Sequence, residues 1–209
     1  MEIVLYKNNK DFKWVMSKDN FLSQSECEEY IEKIKNNEEV IKDEDFIKHN
    51  GRFISFNDDP ISNKIFNVVK LANTMCFKFD IGGVGGCFGK HYSEVDFAKI
   101  SDEDFEDFHS DLSPEDNLLS FSKDGKNNYS DDEGLEKKLD VFDTTTKITT
   151  ILFLNNDFEG GELQVWNTPI EPKPGRLVMF PSFAAHKIKK FSGDDRFVIA
   201  TFIKGNYFK

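Results

Sequence analysis

Two neighbouring residues have the types and the spacing to bind a metal ion. His109-Ser110-Asp111 is an H-x-D motif. In an extended segment residues i and i+2 project to the same face, so His109 and Asp111 can contact one ion while Ser110 faces away. One imidazole and one carboxylate are two of the three ligands of the 2-His-1-carboxylate arrangement, which leaves open positions on Fe(II). Because the chain has 38 acidic residues and 4 histidines, roughly one such motif is expected by chance.

A third candidate ligand, His186, lies ten positions before Arg196, one of only three arginines. Arg196 begins an otherwise apolar run, RFVIATFI. A buried guanidinium without an anion is costly, and a carboxylate bound by both prongs of its fork would satisfy it. The alternative is an arginine at a strand end that is exposed or paired with Asp194 or Asp195.

Composition limits the class of protein. A chain of 209 residues fits one domain, and a net charge of -11 disfavours general binding to nucleic acid. The sequence has no apolar run of membrane-spanning length and no secretory signal, so no membrane association is expected. Its three cysteines are scattered, which is typical of a reducing compartment. We therefore expect a cytoplasmic protein.

The N-terminal third is predicted to be helical with one extended segment. Ser23-Gln24-Ser25-Glu26 has the spacing of a capping box before an apolar stripe, and Asp59-Pro60 resembles an N-cap followed by proline. The C-terminal half is instead predicted to form strands, since its segments are short, rich in β-branched or aromatic residues and bounded by turn residues. These segments are Lys147–Leu154, Glu162–Trp166, Arg176–Phe180 and Arg196–Lys204, with Glu94–Ile100 as a further candidate.

Two other stretches are not predicted to be regular structure. The glycines at 82, 83, 85, 86 and 89 favour a turn region, because their spacing fits neither a Walker A motif nor GxGxxG before a helix. Residues 112–146 are too polar for a core and predict a long loop, either a lid or an insertion without a role. The order of elements favours a mostly β (α+β) fold, a barrel or sandwich supported by N-terminal helices.

Five motifs taken in order resemble the prolyl 4-hydroxylase branch of the Fe(II)/2-oxoglutarate-dependent dioxygenases. They are the H-x-D of His109 and Asp111, KITTILFLN, FEGGEL at 158–163, PGRLVMFP at 174–181, and His186 followed by Arg196. Their order and spacing agree over about residues 90–205, and the helical segment DNFLSQSECEEYIEKI also resembles that family.

This resemblance implies a double-stranded β-helix (jelly-roll) core at about 88–205, with helical N-terminal support at about 1–80, in one domain covering 1–209. His109, Asp111 and His186 would bind Fe(II). Arg196 would hold the distal carboxylate of 2-oxoglutarate, and Thr149 would place a hydroxyl near it. O2 is the other cosubstrate, and ascorbate is a further candidate. The glycines of FEGGEL would form a turn where side chains do not fit.

The sequence departs from the family pattern at two positions. Many relatives have tyrosines where this chain has Ile100 and Phe153, and Tyr92 is a candidate to reach in from the adjoining strand. His49 and His91 are expected to have surface or structural roles, and Trp166 is expected to lie in the core.

The resemblance implies hydroxylation of a C–H bond, on a prolyl residue of a peptide or protein, with release of succinate and CO2. The acidic residues at 102–107 favour a basic substrate. Hydroxylation of another peptide residue or of a free amino acid is an alternative. So are a non-catalytic, cupin-like metal or 2-oxoglutarate sensor and a purely structural β-sandwich.

Overall fold

A computed structural model describes residues 4–6, 15–36, 52–94, 109–111 and 144–206. Within these residues all paired strands are antiparallel. The strands are Val4–Tyr6 (β1), Val15–Lys18 (β2), Arg52–Ser55 (β3), Gly83–Tyr92 (β4), Thr144–Phe153 (β5), Phe158–Gly160 (β6), Leu163–Val165 (β7), Thr168–Ile170 (β8), Leu177–Pro181 (β9), His186–Ile188 (β10), Phe191–Gly193 (β11) and Arg196–Asn206 (β12). They form a main sheet ordered β1-β2-β9-β5-β12-β4-β3, a sheet ordered β10-β7-β8, and the pair β11-β6.

Helix α1, Gln24–Asn36, begins at the predicted capping box. The amide of Ser23 donates to Glu26 Oε2 at 2.7 Å, and the amide of Glu26 donates to Ser23 Oγ at 3.2 Å. These reciprocal bonds satisfy amides that have no partner inside the helix. The helix buries Cys27, Tyr30 and Ile34 against the main sheet, so the predicted helical stripe is confirmed.

Helix α2, Pro60–Ala72, begins at the predicted N-cap. Asp59 accepts a hydrogen bond from the amide of Ile61 at 2.9 Å and another from the hydroxyl of Tyr30 at 2.7 Å, so the cap also joins α2 to α1. The helix continues into a π-helical turn, Asn73–Phe77, and ends at Lys78 in the left-handed conformation (φ 56°).

The main sheet separates two hydrophobic clusters, because successive side chains of a strand point to opposite faces. On β5, Ile148 and Leu152 pack on the side of the helices, whereas Ile151 and Phe153 pack on the side of the small sheets. Leu163 and Val165 of β7 belong to this second cluster. The two layers confirm the predicted class, mostly β with N-terminal helices and a jelly-roll-like core.

The prediction of a turn region in the glycine-rich segment was wrong, since Gly83–Tyr92 is a strand. Its glycines make room for neighbouring side chains. A Cβ atom on Gly89 would lie 2.6 Å from Phe56 and 2.8 Å from Ile34, which come from outside the strand. Glycine at this position therefore allows α1 and the loop between β3 and α2 to pack closely on the sheet, and it does not form a turn.

Three N-terminal strands also differ from the expectation of a helical region with one extended segment. β1 and β2 extend one edge of the main sheet, and β3 forms the other edge. Residues 95–100 and 102–107, His49 and most of the 112–146 segment lie outside the described residues. Among the helices that are described, none is both long and apolar enough to cross a membrane.

Candidate metal centre

The fold brings together His109, Asp111 and His186, the three residues singled out in the sequence. His109 and His186 form an isolated antiparallel bridge: the amide of His109 donates to the carbonyl of His186 at 3.0 Å, and the reverse bond is 2.8 Å. The amide of Asp111 donates to the carbonyl of Ser182 at 2.9 Å. Main-chain hydrogen bonds thus align the H-x-D segment with the start of β10.

The side chains of these residues converge on one point. One ligand atom from each lies within 4.8 Å of the other two. His186 Nε2 is 3.1 Å from Asp111 Oδ2, and His109 Nε2 is 4.0 Å from Asp111 Oδ1. His186 is 4% exposed, so an ion here would lie close to the interior.

The hydrogen bonding of His186 fixes which of its nitrogens faces this point. Its Nδ1 lies 2.9 Å from the carbonyl oxygen of Ala184, which can only accept, so Nδ1 carries a proton. In the neutral ring Nε2 is then unprotonated, and its lone pair points at the Asp111 carboxylate. Two such electron-rich groups are stable side by side only with a cation between them, either a proton on the ring or a metal ion.

Asp111 is also adapted to this role. Burial raises the pKa of its carboxyl, but the hydrogen bond with His186, the charges of both histidines and the hydroxyl of Thr149 outweigh burial and lower the pKa to about 2. The carboxylate is therefore ionised at neutral pH. Two imidazoles and one carboxylate suit Fe(II) with open coordination positions.

Arg196, at the start of β12, is fully buried. Within the described part of the chain its Nε, Nη1 and Nη2 atoms have no hydrogen-bond partner. Its Cζ lies 5.6 Å from the ring centroid of Phe153 and 5.9 Å from that of Tyr92. The alternative in which Arg196 is exposed at the end of its strand is thereby excluded. Asp195 contacts His91 instead (2.7 Å).

Thr149, expected near Arg196, has a different partner in the structure. Its hydroxyl donates to Asp111 Oδ2 at 2.8 Å and lies 3.0 Å from the hydroxyl of Ser182. Ser182 and Ala184 were not singled out in the sequence. Small residues after a strand carry no signal of their own, and only the position of His186 next to them could have drawn attention to them.

The other histidine and aromatic residues fall into supporting positions. His91 stacks on Phe197 with ring centroids 4.5 Å apart and contacts Asp195, which agrees with a structural role. Tyr92 pairs with Arg196 across β4 and β12 and is 1% exposed. Trp166 is partly buried against the second hydrophobic cluster, on the side of the small sheets.

The glycines of FEGGEL form the expected turn. Gly160 and Gly161 have φ of 82° and 68°, in the region that favours glycine. A Cβ atom on Gly160 would collide with the carbonyl oxygen of Lys190. This turn connects β6 to β7, the strand that pairs with β10 and so supports His186.

Comparison with known proteins agrees with this geometry. The family model of the 2OG-Fe(II) oxygenase superfamily matches residues 125–204, a range that contains His186 and Arg196 and begins after the H-x-D motif. No curated protein matches the sequence.

Solved structures of prolyl hydroxylases share the fold. A viral collagen prolyl hydroxylase from Paramecium bursaria Chlorella virus-1, in complex with 2-oxoglutarate, has a TM-score of 0.59 at 13% identity, over 96% of this chain and 100% of that one. A prolyl 4-hydroxylase from Pseudomonas putida has a TM-score of 0.56 at 14% identity, over 92% and 93%. One from Phytophthora capsici has a TM-score of 0.53 at 16% identity, over 93% and 60%.

At these identities the structural likeness establishes the fold, and the family model shows a sequence similarity to the superfamily over residues 125–204. The convergent His-Asp-His side chains fit the metal that this superfamily uses. Residues 125–204 thus match the 2OG-Fe(II) oxygenase superfamily, whose cofactor and cosubstrates are Fe(II), 2-oxoglutarate and O2, and the chain has a prolyl 4-hydroxylase-like fold.

Proposed function

We propose that this chain is an Fe(II)- and 2-oxoglutarate-dependent oxygenase that hydroxylates a prolyl residue in a peptide or protein, with His109, Asp111 and His186 as the Fe(II) ligands and Arg196 as the cosubstrate anchor. Two observations carry the proposal together: a convergent His-Asp-His cluster, and a fully buried guanidinium that makes no hydrogen bond to any residue that the structure describes. We further propose that residues 1–209 are one catalytic domain, because α1 and α2 pack on the sheet that carries Arg196.

Arg196 supports a cosubstrate with an anionic end. A buried guanidinium without an anion is strongly unfavourable, and a carboxylate bound by its fork restores two charge-assisted hydrogen bonds. Phe153, which stacks on Arg196, and Thr149, which contacts Asp111, lie four residues apart on the same face of β5, about 13 Å along the strand. A dicarboxylate anchored by Arg196 at one end of this face would therefore extend towards a metal at the other end.

When bound, the metal, 2-oxoglutarate and O2 would supply the oxidation, with one oxygen atom going to the substrate C–H bond and the other to succinate as CO2 is lost. The protein's residues orient and enclose these reactants. The bond from His186 Nδ1 to Ala184 fixes the ring, and Phe180 packs against it with centroids 4.8 Å apart. The buried environment strengthens the pairing of Arg196 with a carboxylate and excludes water from it.

Support for the prolyl substrate is the fold shared with the viral collagen prolyl hydroxylase and with the prolyl 4-hydroxylases from Pseudomonas putida and Phytophthora capsici. The acidic residues at 102–107, which favoured a basic substrate, lie outside the described residues. The preference for a basic peptide therefore stays a prediction.

Binding is tested first. The purified protein, mixed anaerobically with Fe(II) and 2-oxoglutarate, is expected to develop a weak visible charge-transfer band. H186A is expected to lose the band by losing the metal, and R196M by losing the cosubstrate. R176M removes an arginine that pairs with Asp19 instead of lying in the His-Asp-His cluster, and it is the matched control that should keep the band. A wild type without the band, or a band that survives in R196M and H186A, would contradict the site assignment.

Turnover is tested second, by succinate release with a panel of proline-containing peptides of basic, neutral and acidic character. Matched peptides with alanine in place of proline are the control. Substrate-dependent succinate together with hydroxyproline in the product supports the proposal. A normal charge-transfer band without succinate release from any peptide would instead indicate a sensor, and release from the alanine peptides would indicate another hydroxylated residue.

A further inference from the structure

The carboxylate of Asp111 is held by a chain of two buried hydroxyl groups, those of Thr149 and Ser182. Thr149 Oγ1 lies 2.8 Å from Asp111 Oδ2, and Ser182 Oγ lies 3.0 Å from Thr149 Oγ1. Both side chains are 0% exposed. Neither hydroxyl can therefore exchange these partners for bulk water without a local opening of the fold.

Counting protons gives the direction of these bonds. A hydroxyl has one proton to donate and two lone pairs to accept, whereas an ionised carboxylate only accepts. Thr149 must therefore donate its single proton to Asp111. The bond with Ser182 then runs the other way, from the Ser182 hydroxyl to Thr149 Oγ1. The result is a one-way relay, Ser182 to Thr149 to Asp111.

The same relay leaves Thr149 nothing to donate to 2-oxoglutarate. The distal carboxylate of the cosubstrate is also an acceptor only, so a hydroxyl that contacted it would have to give up Asp111. Breaking that bond would leave a buried, charged oxygen one hydrogen bond short, which is the more costly loss. Thr149 is thus committed to the metal side of the site.

The main chain reinforces the relay. The amide of Ser182 donates to the carbonyl of Lys147 at 3.0 Å, and the carbonyl of Ser182 accepts from the amide of Asp111 at 2.9 Å. Ser182 therefore contacts Asp111 through the backbone and, by way of Thr149, through the side chain. A residue fixed at both ends keeps its carboxylate in one rotamer, directed at His186 Nε2.

We propose that Thr149 and Ser182 are positioning residues that hold Asp111 in its metal-binding rotamer, and that Thr149 serves the metal rather than the distal carboxylate of 2-oxoglutarate. The proposal rests on the function proposed above. It assigns Thr149 a role different from the one implied by the family resemblance. Hydrogen-bonded partners of metal ligands commonly change metal affinity by about 10–100-fold.

The test measures Mn(II) affinity of the full chain without cosubstrate, by electron paramagnetic resonance of free Mn(II). T149V keeps the shape of the side chain and removes the hydroxyl, and it is expected to raise the Kd about 10–100-fold. T149S keeps the hydroxyl and is expected to restore the wild-type Kd to within about threefold. S182A should raise the Kd by about threefold or more, since it removes only the second bond of the relay.

The matched control is T201V on β12. Thr201 is equally buried, but its hydroxyl donates to Cys87 Sγ at 3.3 Å on the helix side of the sheet. T201V is expected to keep the wild-type Kd. A wild-type Kd in T149V, or equal weakening in T149V and T201V, would overturn the proposal. If T149V fails to fold by circular dichroism, a wild-type Kd in S182A overturns it instead.

The two proposals fail in different ways. If the wild type does not bind Mn(II), the proposed metal site is wrong. If the wild type binds Mn(II) and D111N does not, but T149V and S182A bind as tightly as the wild type, the metal site stands and the relay is wrong. A second readout is the Kd for 2-oxoglutarate at saturating Mn(II), which T149V should leave within about threefold of the wild type. A large loss there would assign Thr149 to the cosubstrate.

Discussion

Replacing Arg196 with methionine is expected to stabilise the protein in the absence of ligands while abolishing its response to 2-oxoglutarate. Arg196 is 0% exposed, and burial lowers the pKa of its guanidinium to about 10. The difference from the ordinary value of 12.5 corresponds to a cost of about 3 kcal/mol at pH 7. Methionine has a similar length and carries no charge, so the substitution removes this cost without leaving a large cavity.

Stacking on two aromatic rings offsets part of that cost. The rings of Phe153 and Tyr92 lie 5.6 Å and 5.9 Å from the guanidinium carbon. Because both distances are near the limit of about 6 Å for such contacts, each contact is expected to contribute about 0.5–1 kcal/mol rather than the roughly 2 kcal/mol of a close buried contact. The net gain on substitution is therefore about 1–2 kcal/mol. For a chain of this size that gain corresponds to a rise in Tm of about 2–8 °C.

The assay is thermal unfolding of the wild type and R196M with Mn(II), with and without 2-oxoglutarate. The wild type should gain about 3 kcal/mol when 2-oxoglutarate is present at about a hundred times its Kd, and R196M should gain nothing. A lower Tm for ligand-free R196M than for the wild type would refute the reasoning, because it would mean that the guanidinium already has an anionic partner in the folded protein.

Three further predictions concern the scaffold around the site. Asp19 accepts hydrogen bonds from Arg176 (2.7 Å and 3.2 Å), which lower the pKa of its carboxyl from 3.8 to about 2. D19N should therefore lower the free energy of unfolding by about 1–2 kcal/mol at pH 7. In urea titrations this difference between D19N and the wild type should be present above pH 4 and vanish as the pH falls towards 2. Asn155 donates to the carbonyl of Asp195 (2.7 Å) and accepts from the amide of Phe197 (2.9 Å), the two neighbours of Arg196 in sequence. N155A should lower the free energy of unfolding by about 2–3 kcal/mol in chemical denaturation and weaken 2-oxoglutarate binding. An unchanged stability together with an unchanged affinity would contradict this prediction. G160A, at φ 82°, should lower the free energy of unfolding by about 2–3 kcal/mol. The control G83A, where nothing lies within 4 Å of the added Cβ, should lower it by less than about 1 kcal/mol. Equal losses in the two variants would refute the account of this turn.

Local sequence signals predicted much of the scaffold. The capping box at Ser23 and the N-cap at Asp59 mark the starts of two helices correctly, because a cap depends on hydrogen bonds between residues close in sequence. Of the eight strands from β5 onwards, the three-residue strands β6, β8, β10 and β11 were not predicted. The other four, β5, β7, β9 and β12, were predicted to within a few residues of their ends. Their β-branched and aromatic residues fill both faces of a sheet that is buried on both sides.

Features that depend on distant neighbours were not predictable in the same way. The glycines of β4 resemble a turn until Phe56 and Ile34 are known to pack over Gly89. The short strands β1 and β3 lie at sheet edges, where burial imposes little pattern. The partner of Thr149 is thirty-eight positions away, and no spacing rule connects them.

The candidate site was predictable in outline. The H-x-D motif, His186 and Arg196 were singled out from residue type and spacing, and the structure brings the first three together. Their roles as iron ligands and cosubstrate anchor stay predictions until binding is measured. The sequence also shows why Arg196 is unusual, since an arginine in an apolar strand requires a partner, but it could not show that the described residues leave the whole guanidinium unbonded.

The bridge between His109 and His186 has a consequence for how metal loading and chain order depend on each other. The two residues are far apart in sequence, and a pair of main-chain hydrogen bonds joins them at the edge of the β10 sheet. A metal bound by both side chains would clamp this pair, so detaching the 109–111 segment would first require releasing the ion. The slowing of amide exchange at His109 and Asp111 on metal addition would thus measure occupancy directly, and any substitution that loosens the segment would weaken metal binding by the same free energy.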